Sequence, residues 1–116
     1  MLVSMNDEDK EYALTALAAI GLGVAAYAVL TSATRRRAFK QAIRYAVESH
    51  GAGFVEANLA RIDGTPIWLV TLNHPWQGIA KHRLSFPADV DPYSKEVLNS
   101  VIASLVNAIR RKQSQR

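Results

Sequence analysis

The side chains best able to bind a transition metal in this sequence are three histidines, His50, His74 and His82, because it contains no cysteine. A structural zinc site needs four ligands, and these usually recur at short, regular spacings along the chain. The three histidines lie in three different predicted elements and show no such spacing. The sequence therefore predicts no metal site and no cofactor.

The residue patterns that accompany catalysis are also missing. The sequence has no Gly-x-Ser-x-Gly motif and no glycine-rich loop that could hold a phosphate group. Asp63, Asp89 and Asp91 occupy predicted turn or capping positions, where aspartate is favoured because its side chain bonds to the nearby backbone. We therefore predict no catalytic residues and a protein that is not an enzyme.

One loop carries side chains suited to contact another protein. Trp76 follows Pro75, and an exposed tryptophan beside a rigid proline is well suited to an interface. We predict that Trp76 and the neighbouring His74 contact a partner. The alternative is that Trp76 folds back and covers a small core.

A run of cationic residues could bind phosphate groups, either on anionic lipids or on nucleic acid. The run consists of Arg35, Arg36, Arg37, Lys40 and Arg44. Its position directly after an apolar segment favours lipid, because basic residues at the cytoplasmic end of a membrane span orient that span. Lys81 and Arg83 on a later predicted strand are a second possible phosphate contact.

Residues 12–34 contain no charged side chain, and a helix of that length would cross a hydrocarbon layer about 30 Å thick. The preceding residues are acidic and the following ones basic. The positive-inside rule therefore predicts a single-pass membrane protein with its N-terminus outside and its C-terminal domain in the cytoplasm. Ala19 and Gly23 lie one turn apart on this predicted helix and could pack against another membrane helix. The alternatives are a cleaved signal peptide and an alanine-rich helix buried in a soluble oligomer.

The remaining residues show the pattern helix, three strands, helix. Apolar residues recur at helical spacing in residues 36–49 and 92–112, and the predicted strands cover residues 54–62, 67–73 and 79–86. Asp63-Gly64 predicts a hairpin between the first two strands. Asp91 and Pro92 are the predicted N-cap and first residue of the final helix. Because no proline or glycine interrupts residues 24–50, we expect the membrane helix to continue unbroken to Ser49.

These elements predict an α+β fold, in which a transmembrane helix continues into an α-β-β-β-α domain with both helices on one face of a three-stranded antiparallel sheet. The predicted divisions are an acidic tail (1–11), the transmembrane helix (12–34) and a basic domain (35–116). Double-stranded-RNA-binding domains share this element order, but their second helix opens with a cluster of lysines, whereas this one has Lys95 beside Glu96. No family is recognised from the sequence.

The sequence thus predicts a non-enzymatic membrane anchor or assembly subunit that contacts membrane lipids and binds a protein partner or another copy of itself. Suitable settings are an envelope machine or a membrane-containing virus particle. One alternative is a membrane-tethered nucleic-acid-binding module that uses the cationic run. The other is a soluble structural subunit with the alanine-rich helix inside an oligomer. No small-molecule substrate is expected.

Overall fold

A computed structural model describes residues 11–114 of the chain, which form a three-stranded antiparallel sheet with helices packed on one face. The helices are α1 (Tyr12–Ala19), α2 (Val24–Ala28), α3 (Ser32–Ser49) and α4 (Lys95–Ser114). The strands are β1 (Gly53–Ile62), β2 (Thr65–His74) and β3 (Gly78–Ser85). The predicted α+β class and the three antiparallel strands are confirmed.

The predicted continuous transmembrane helix over residues 12–34 is wrong, because this segment forms two short helices and the beginning of a third. The chain turns after α1 through Gly21, whose φ of +88° is a conformation that glycine adopts without steric strain. Thr31 then caps α3 by accepting a hydrogen bond from the backbone N–H of Thr34. Across residues 11–114, no helix combines the length and the apolar character needed to span a bilayer. The predicted acidic tail lies, except for Glu11, outside the described residues.

The first helix folds back onto the domain instead of extending away from it. α1 packs against both α3 and α4 and buries Ala13, Ala16 and Leu17 completely or almost completely. The backbone N–H of Ala13 donates a 2.9 Å hydrogen bond to Asn99 Oδ1 on α4, which provides a partner for one of the free N–H groups at the start of α1. The alanines of α1 allow this close approach between helices.

Strand positions follow local signals closely. Asp63 and Gly64 both have positive φ, 52° and 78°, as required of the two central residues of a type I′ hairpin turn. The predicted hairpin is therefore confirmed. β2 lies between β1 and β3, and its alternating residues Trp68, Val70 and Leu72 belong to the core that also contains α3 and α4.

An aromatic cluster joins the helices to the sheet. Trp68 is fully buried; its ring stacks on Phe39 of α3 at 4.4 Å and meets Tyr93 edge-on at 5.3 Å. Trp68 Nε1–H also donates a 2.9 Å hydrogen bond to the carbonyl of Pro92. These contacts hold the turn that precedes α4 against the half of β2 that is nearer the β1–β2 hairpin.

Of two predicted helix boundaries, the end of α3 is confirmed and the start of α4 is wrong. α3 ends at Ser49, as predicted, followed by Gly51 with a φ of +94°. The predicted start of α4 is wrong, because the helix begins at Lys95 and Ser94 Oγ accepts the hydrogen bond from Val97 N–H. Asp91 accepts a hydrogen bond from Tyr93 N–H in the preceding turn.

Candidate functional site

Residues 12–34, here called the N-terminal segment, present a solvent-facing surface without a charged group. Val29 is 82% exposed and Leu14 is 46% exposed, so both large apolar side chains are available for contact. The other exposed residues of the segment are alanine, glycine, serine and threonine. An uncharged, partly apolar surface of this kind is a candidate contact with a lipid or a protein.

Tyr27 fastens the second part of the segment to the body of the domain. Its ring is 2% exposed, and its hydroxyl donates a 2.6 Å hydrogen bond to the carbonyl of Tyr93. Burial raises the pKa of the Tyr27 hydroxyl well above its ordinary value, although nearby Arg35 partly lowers it. Tyr27 therefore remains a neutral hydrogen-bond donor at physiological pH.

Arg35, predicted to contact phosphate groups, is engaged within the fold. Its guanidinium donates to the carbonyls of Ala28 (2.7 Å) and Leu30 (3.2 Å), which lie at and just after the C-terminal end of α2. It also forms an ion pair with Asp91 at 3.6 Å and lies 5.9 Å from the centre of the Tyr27 ring. Carbonyls at a helix C-terminus need donors, so Arg35 stabilises α2 and the connection to α3.

Three other members of the cationic run lie at the surface beside the N-terminal segment. Arg36 and Arg37 are exposed and Lys40 is partly exposed, and together with Ala33 they line a shallow depression on the first turns of α3. Arg36 also donates a 3.3 Å hydrogen bond to the hydroxyl of Tyr93. We call Arg36, Arg37 and Lys40 the cationic cluster.

The structure places the other predicted contact residues, Arg44, Ala19 and Gly23, in different parts of the fold. Arg44 lies one turn beyond the cationic cluster, with its guanidinium 5.3 Å from the centre of the Phe54 ring. Ala19 is the last residue of α1, whereas Gly23 precedes α2. The two small residues are not on one helix, so they do not form the predicted packing face.

His74 and Trp76 form part of the interior side of the sheet. His74 is 1% exposed, and Trp76 is half-buried against the core, with its ring 5.6 Å from that of His74. The alternative in which Trp76 folds back to cover the core describes this arrangement. The inward position of His74 follows from its alternation with Trp68 and Leu72, a sequence signal that the loop residues obscured.

His74 and His82 face each other across β2 and β3, with ring centres 6.3 Å apart. Burial lowers the pKa of both histidines. Lys112 lowers the pKa of His74 further. His74 in its protonated form, Lys112 and Arg111 likewise lower the pKa of His82. In the described part of the chain, no group of three histidine, cysteine, aspartate or glutamate residues is arranged to hold a metal ion.

Acid is expected to destabilise the protein through this histidine pair. Because the folded pKa values are lowered, the unfolded chain binds more protons than the folded one below about pH 7. The free energy of unfolding should therefore fall as the pH decreases from 7 to 5, by at most about 1.4 kcal/mol per pH unit for each histidine. Urea denaturation at a series of pH values measures this slope.

The variant His74→Phe keeps a flat ring beside Trp76 but removes one titrating group. We expect a smaller loss of stability between pH 7 and 5 in this variant than in the unmodified protein. Equal stability of the unmodified protein at both pH values would contradict the buried, neutral state of the two histidines.

A further surface is not among the sites predicted from the sequence: the face of the sheet opposite α3 and α4. Its signal in the sequence is the second set of alternating residues in β2, Ile67, Leu69 and Thr71. The nearly continuous apolar run of this strand concealed that signal.

No protein-family model, no curated protein and no solved structure matches this chain. Its function therefore has to be inferred from these surfaces themselves.

Proposed function

We propose that the protein is a non-enzymatic assembly subunit that attaches to the surface of an anionic membrane and leaves its α+β body available to bind protein. The observation that carries this proposal is that two different surfaces adjoin at Ala33, which lines one depression with the cationic cluster. One is the uncharged, exposed part of the N-terminal segment, and the other is the cationic cluster on α3. Peripheral membrane proteins combine the same two features.

The two surfaces are held together by Arg35. Its hydrogen bonds to the carbonyls of Ala28 and Leu30 fix the end of α2 against the first turns of α3. Val29, the most exposed large apolar side chain within residues 11–114, lies between those two carbonyls in sequence, at the junction that Arg35 holds. An apolar side chain can then enter the lipid interface while neighbouring cations contact the head groups.

The energies indicate weak and reversible attachment. Each cation near an anionic membrane surface contributes about 1 kcal/mol, so the cationic cluster contributes about 3 kcal/mol. Complete burial of a valine or leucine side chain contributes about 1.5–3 kcal/mol. Neither contribution suffices alone for stable attachment, and the binding should therefore weaken strongly when salt screens the cations.

Vesicle sedimentation tests this proposal with the full-length protein. We expect binding to vesicles that contain phosphatidylglycerol and little binding to pure phosphatidylcholine vesicles. Replacing Arg36, Arg37 and Lys40 by alanine should weaken binding about 100-fold, the equivalent of about 3 kcal/mol. A matched control replaces Arg61, Arg83 and Arg110, three exposed arginines elsewhere on the surface, and should weaken binding much less.

Two further measurements separate the alternatives. Val29→Asp should reduce vesicle binding without changing the cationic cluster, because it places a charge where lipid contact is expected. If the protein instead binds duplex DNA or RNA in a salt-dependent way and ignores anionic vesicles, the nucleic-acid-binding alternative replaces the proposal. A stable higher oligomer that binds neither ligand would support the structural-subunit alternative. The predicted cytoplasmic orientation depended on a spanning helix and stays a prediction.

A further inference from the structure

The face of the sheet opposite α3 and α4, here called the open face, is not covered by any helix of the described residues 11–114. The strand register arranges its side chains in rows that cross β1, β2 and β3. The three central rows are Glu56–Thr71–Lys81, Asn58–Leu69–Arg83 and Ala60–Ile67–Ser85. A hydrogen bond of 2.9 Å from Asn58 Nδ2 to Glu56 Oε2 agrees with their position on one face of β1.

The chemistry of the open face differs between its centre and its two edges. The central strand contributes Ile67 and Thr71, which are buried, and Leu69, which is half-buried. Further apolar surface lies at the ends of the outer strands, where Ile79 is 61% exposed and Ile62 is 44% exposed. The accessible apolar surface of the open face therefore comes from Leu69 at its centre and from these two isoleucines, and charged residues lie on its two outer strands.

The charges at the two edges have opposite signs. Glu56 lies on β1, whereas Lys81 and Arg83 lie on β3. Glu56 and Lys81 share a row but are two strands apart, a separation of about 10 Å. Among the ion pairs of the described residues, none joins these two edges.

Opposite charges on opposite edges make the open face complementary to itself under one symmetry. Consider a two-fold axis that runs parallel to the strands between two facing sheets. This axis places β1 of each copy over β3 of the other copy. Glu56 of each copy then faces Lys81 of the other, which gives two ion pairs, and the two Leu69 side chains meet at the centre. Aligned packing of two sheets, with their strands at about 30°, is a common arrangement.

The other face-to-face symmetry is unfavourable. A two-fold axis perpendicular to the strands places β1 over β1 and β3 over β3. When that axis passes through the row of Thr71, it sets Glu56 against Glu56 and Lys81 against Lys81. Like charges placed directly opposite each other oppose association. The pattern of charge thus selects one dimer geometry.

We infer that the open face binds a second copy of this chain through a two-fold axis parallel to the strands. This dimer goes beyond the proposed membrane contact and uses a different surface. Three strands spaced about 4.8 Å apart, with eight to ten residues each, offer a flat footprint of only about 400 Å² per copy. Two such footprints total about 800 Å², which is below the roughly 1,200 Å² of stable specific interfaces and typical of weak, transient ones, so the dimer should dissociate on dilution.

Sedimentation velocity of the full-length protein without lipid tests the dimer. We expect a concentration-dependent shift from monomer to dimer. Glu56→Lys and Lys81→Glu should each weaken association about tenfold or more, because each sets like charges opposite one another twice in the dimer. The double reversal, Glu56→Lys with Lys81→Glu, should restore association to within about threefold of the unmodified protein, because it recreates both pairs.

The control for Glu56→Lys is Glu48→Lys, which makes the same change of net charge at an exposed position of α3. It should leave association unchanged. Leu69→Arg, which places a charge at the centre of the open face, should abolish the dimer. Thermal unfolding confirms that each variant is folded. The inference is overturned by a monomer at every concentration, by no rescue in the double reversal, or by a dimer that Val29→Asp disrupts and the open-face variants do not. The membrane proposal is independent of these results, since no vesicles are present.

Discussion

Trp68→Ala is expected to lower the free energy of unfolding by about 4 kcal/mol, the middle of the range for removing a large buried aromatic side chain. The variant loses the stacking of Trp68 on Phe39 and its edge contact with Tyr93. It also leaves the carbonyl of Pro92 without the indole donor. Because folded proteins have a total stability of only about 5–15 kcal/mol, this loss would remove roughly a quarter to four-fifths of the margin against unfolding.

Trp68→Phe is the matched control for this prediction. It retains a ring that can stack on Phe39 but removes the hydrogen bond to Pro92, so we expect a loss of about 1–2 kcal/mol. Chemical denaturation monitored by circular dichroism measures both variants, and the fluorescence of Trp76 follows the same transition. A loss below about 1 kcal/mol in Trp68→Ala would mean that the aromatic cluster does not hold α3 and the turn before α4 on the sheet.

Leu17→Ala is expected to lower the free energy of unfolding by about 3 kcal/mol. Leu17 is fully buried on the side of α1 that packs against α3 and α4. Removing its side chain leaves a cavity between three helices and weakens the attachment of the N-terminal segment. This prediction directly tests whether residues 12–34 fold back onto the domain.

Leu14 provides an internal control because it is the same residue type on the same helix, but 46% exposed. Leu14→Ala should change the free energy of unfolding by only about 0.5 kcal/mol. Similar denaturation midpoints for the two variants would show that α1 is not docked in solution. Proteolysis of Leu17→Ala at Lys and Arg sites near residues 35–37 would then reveal whether the segment has become accessible.

The two proposed surfaces are compatible within one assembly. Arg36 contacts Tyr93, which packs against Trp68 near the β1–β2 hairpin end of the sheet. A two-fold axis parallel to the strands keeps this end pointing the same way in both copies. Both cationic clusters of the dimer can then approach one membrane, and binding by two linked sites strengthens attachment without any new contact.

Local sequence signals were sufficient for much of the fold. The Asp63-Gly64 turn, the end of α3 before Gly51 and the order of the strands depend on residues close together in the chain. Helical spacing of apolar residues also identified α3 and α4. The start of α4 was misplaced because Asp91 and Ser94 both have side chains that can accept a backbone hydrogen bond. In the structure Asp91 accepts from Tyr93 in the turn, and Ser94 accepts from Val97 in the helix.

The side-chain roles were less accessible from sequence. Arg35 belongs to a cationic run in the sequence, yet the carbonyls that it binds become available only because α2 ends at Ala28 and turns back. His74 is the last residue of a strand in which both faces are largely apolar, so alternation alone did not separate the interior from the open face. Glu56 and Lys81 are far apart in the sequence, and only the register of the three strands places their opposite charges in one row.

The sequence by itself determined the order of helices and strands from α3 onward, the α+β class and the absence of charge from residues 12–34. Only the tertiary structure decided where that uncharged segment lies. A run of apolar residues lowers its free energy by leaving water, and either lipid or protein can remove it from water. The turn at Gly21, the cap at Thr31 and the space between α3 and α4 that receives Leu17 decide in favour of protein.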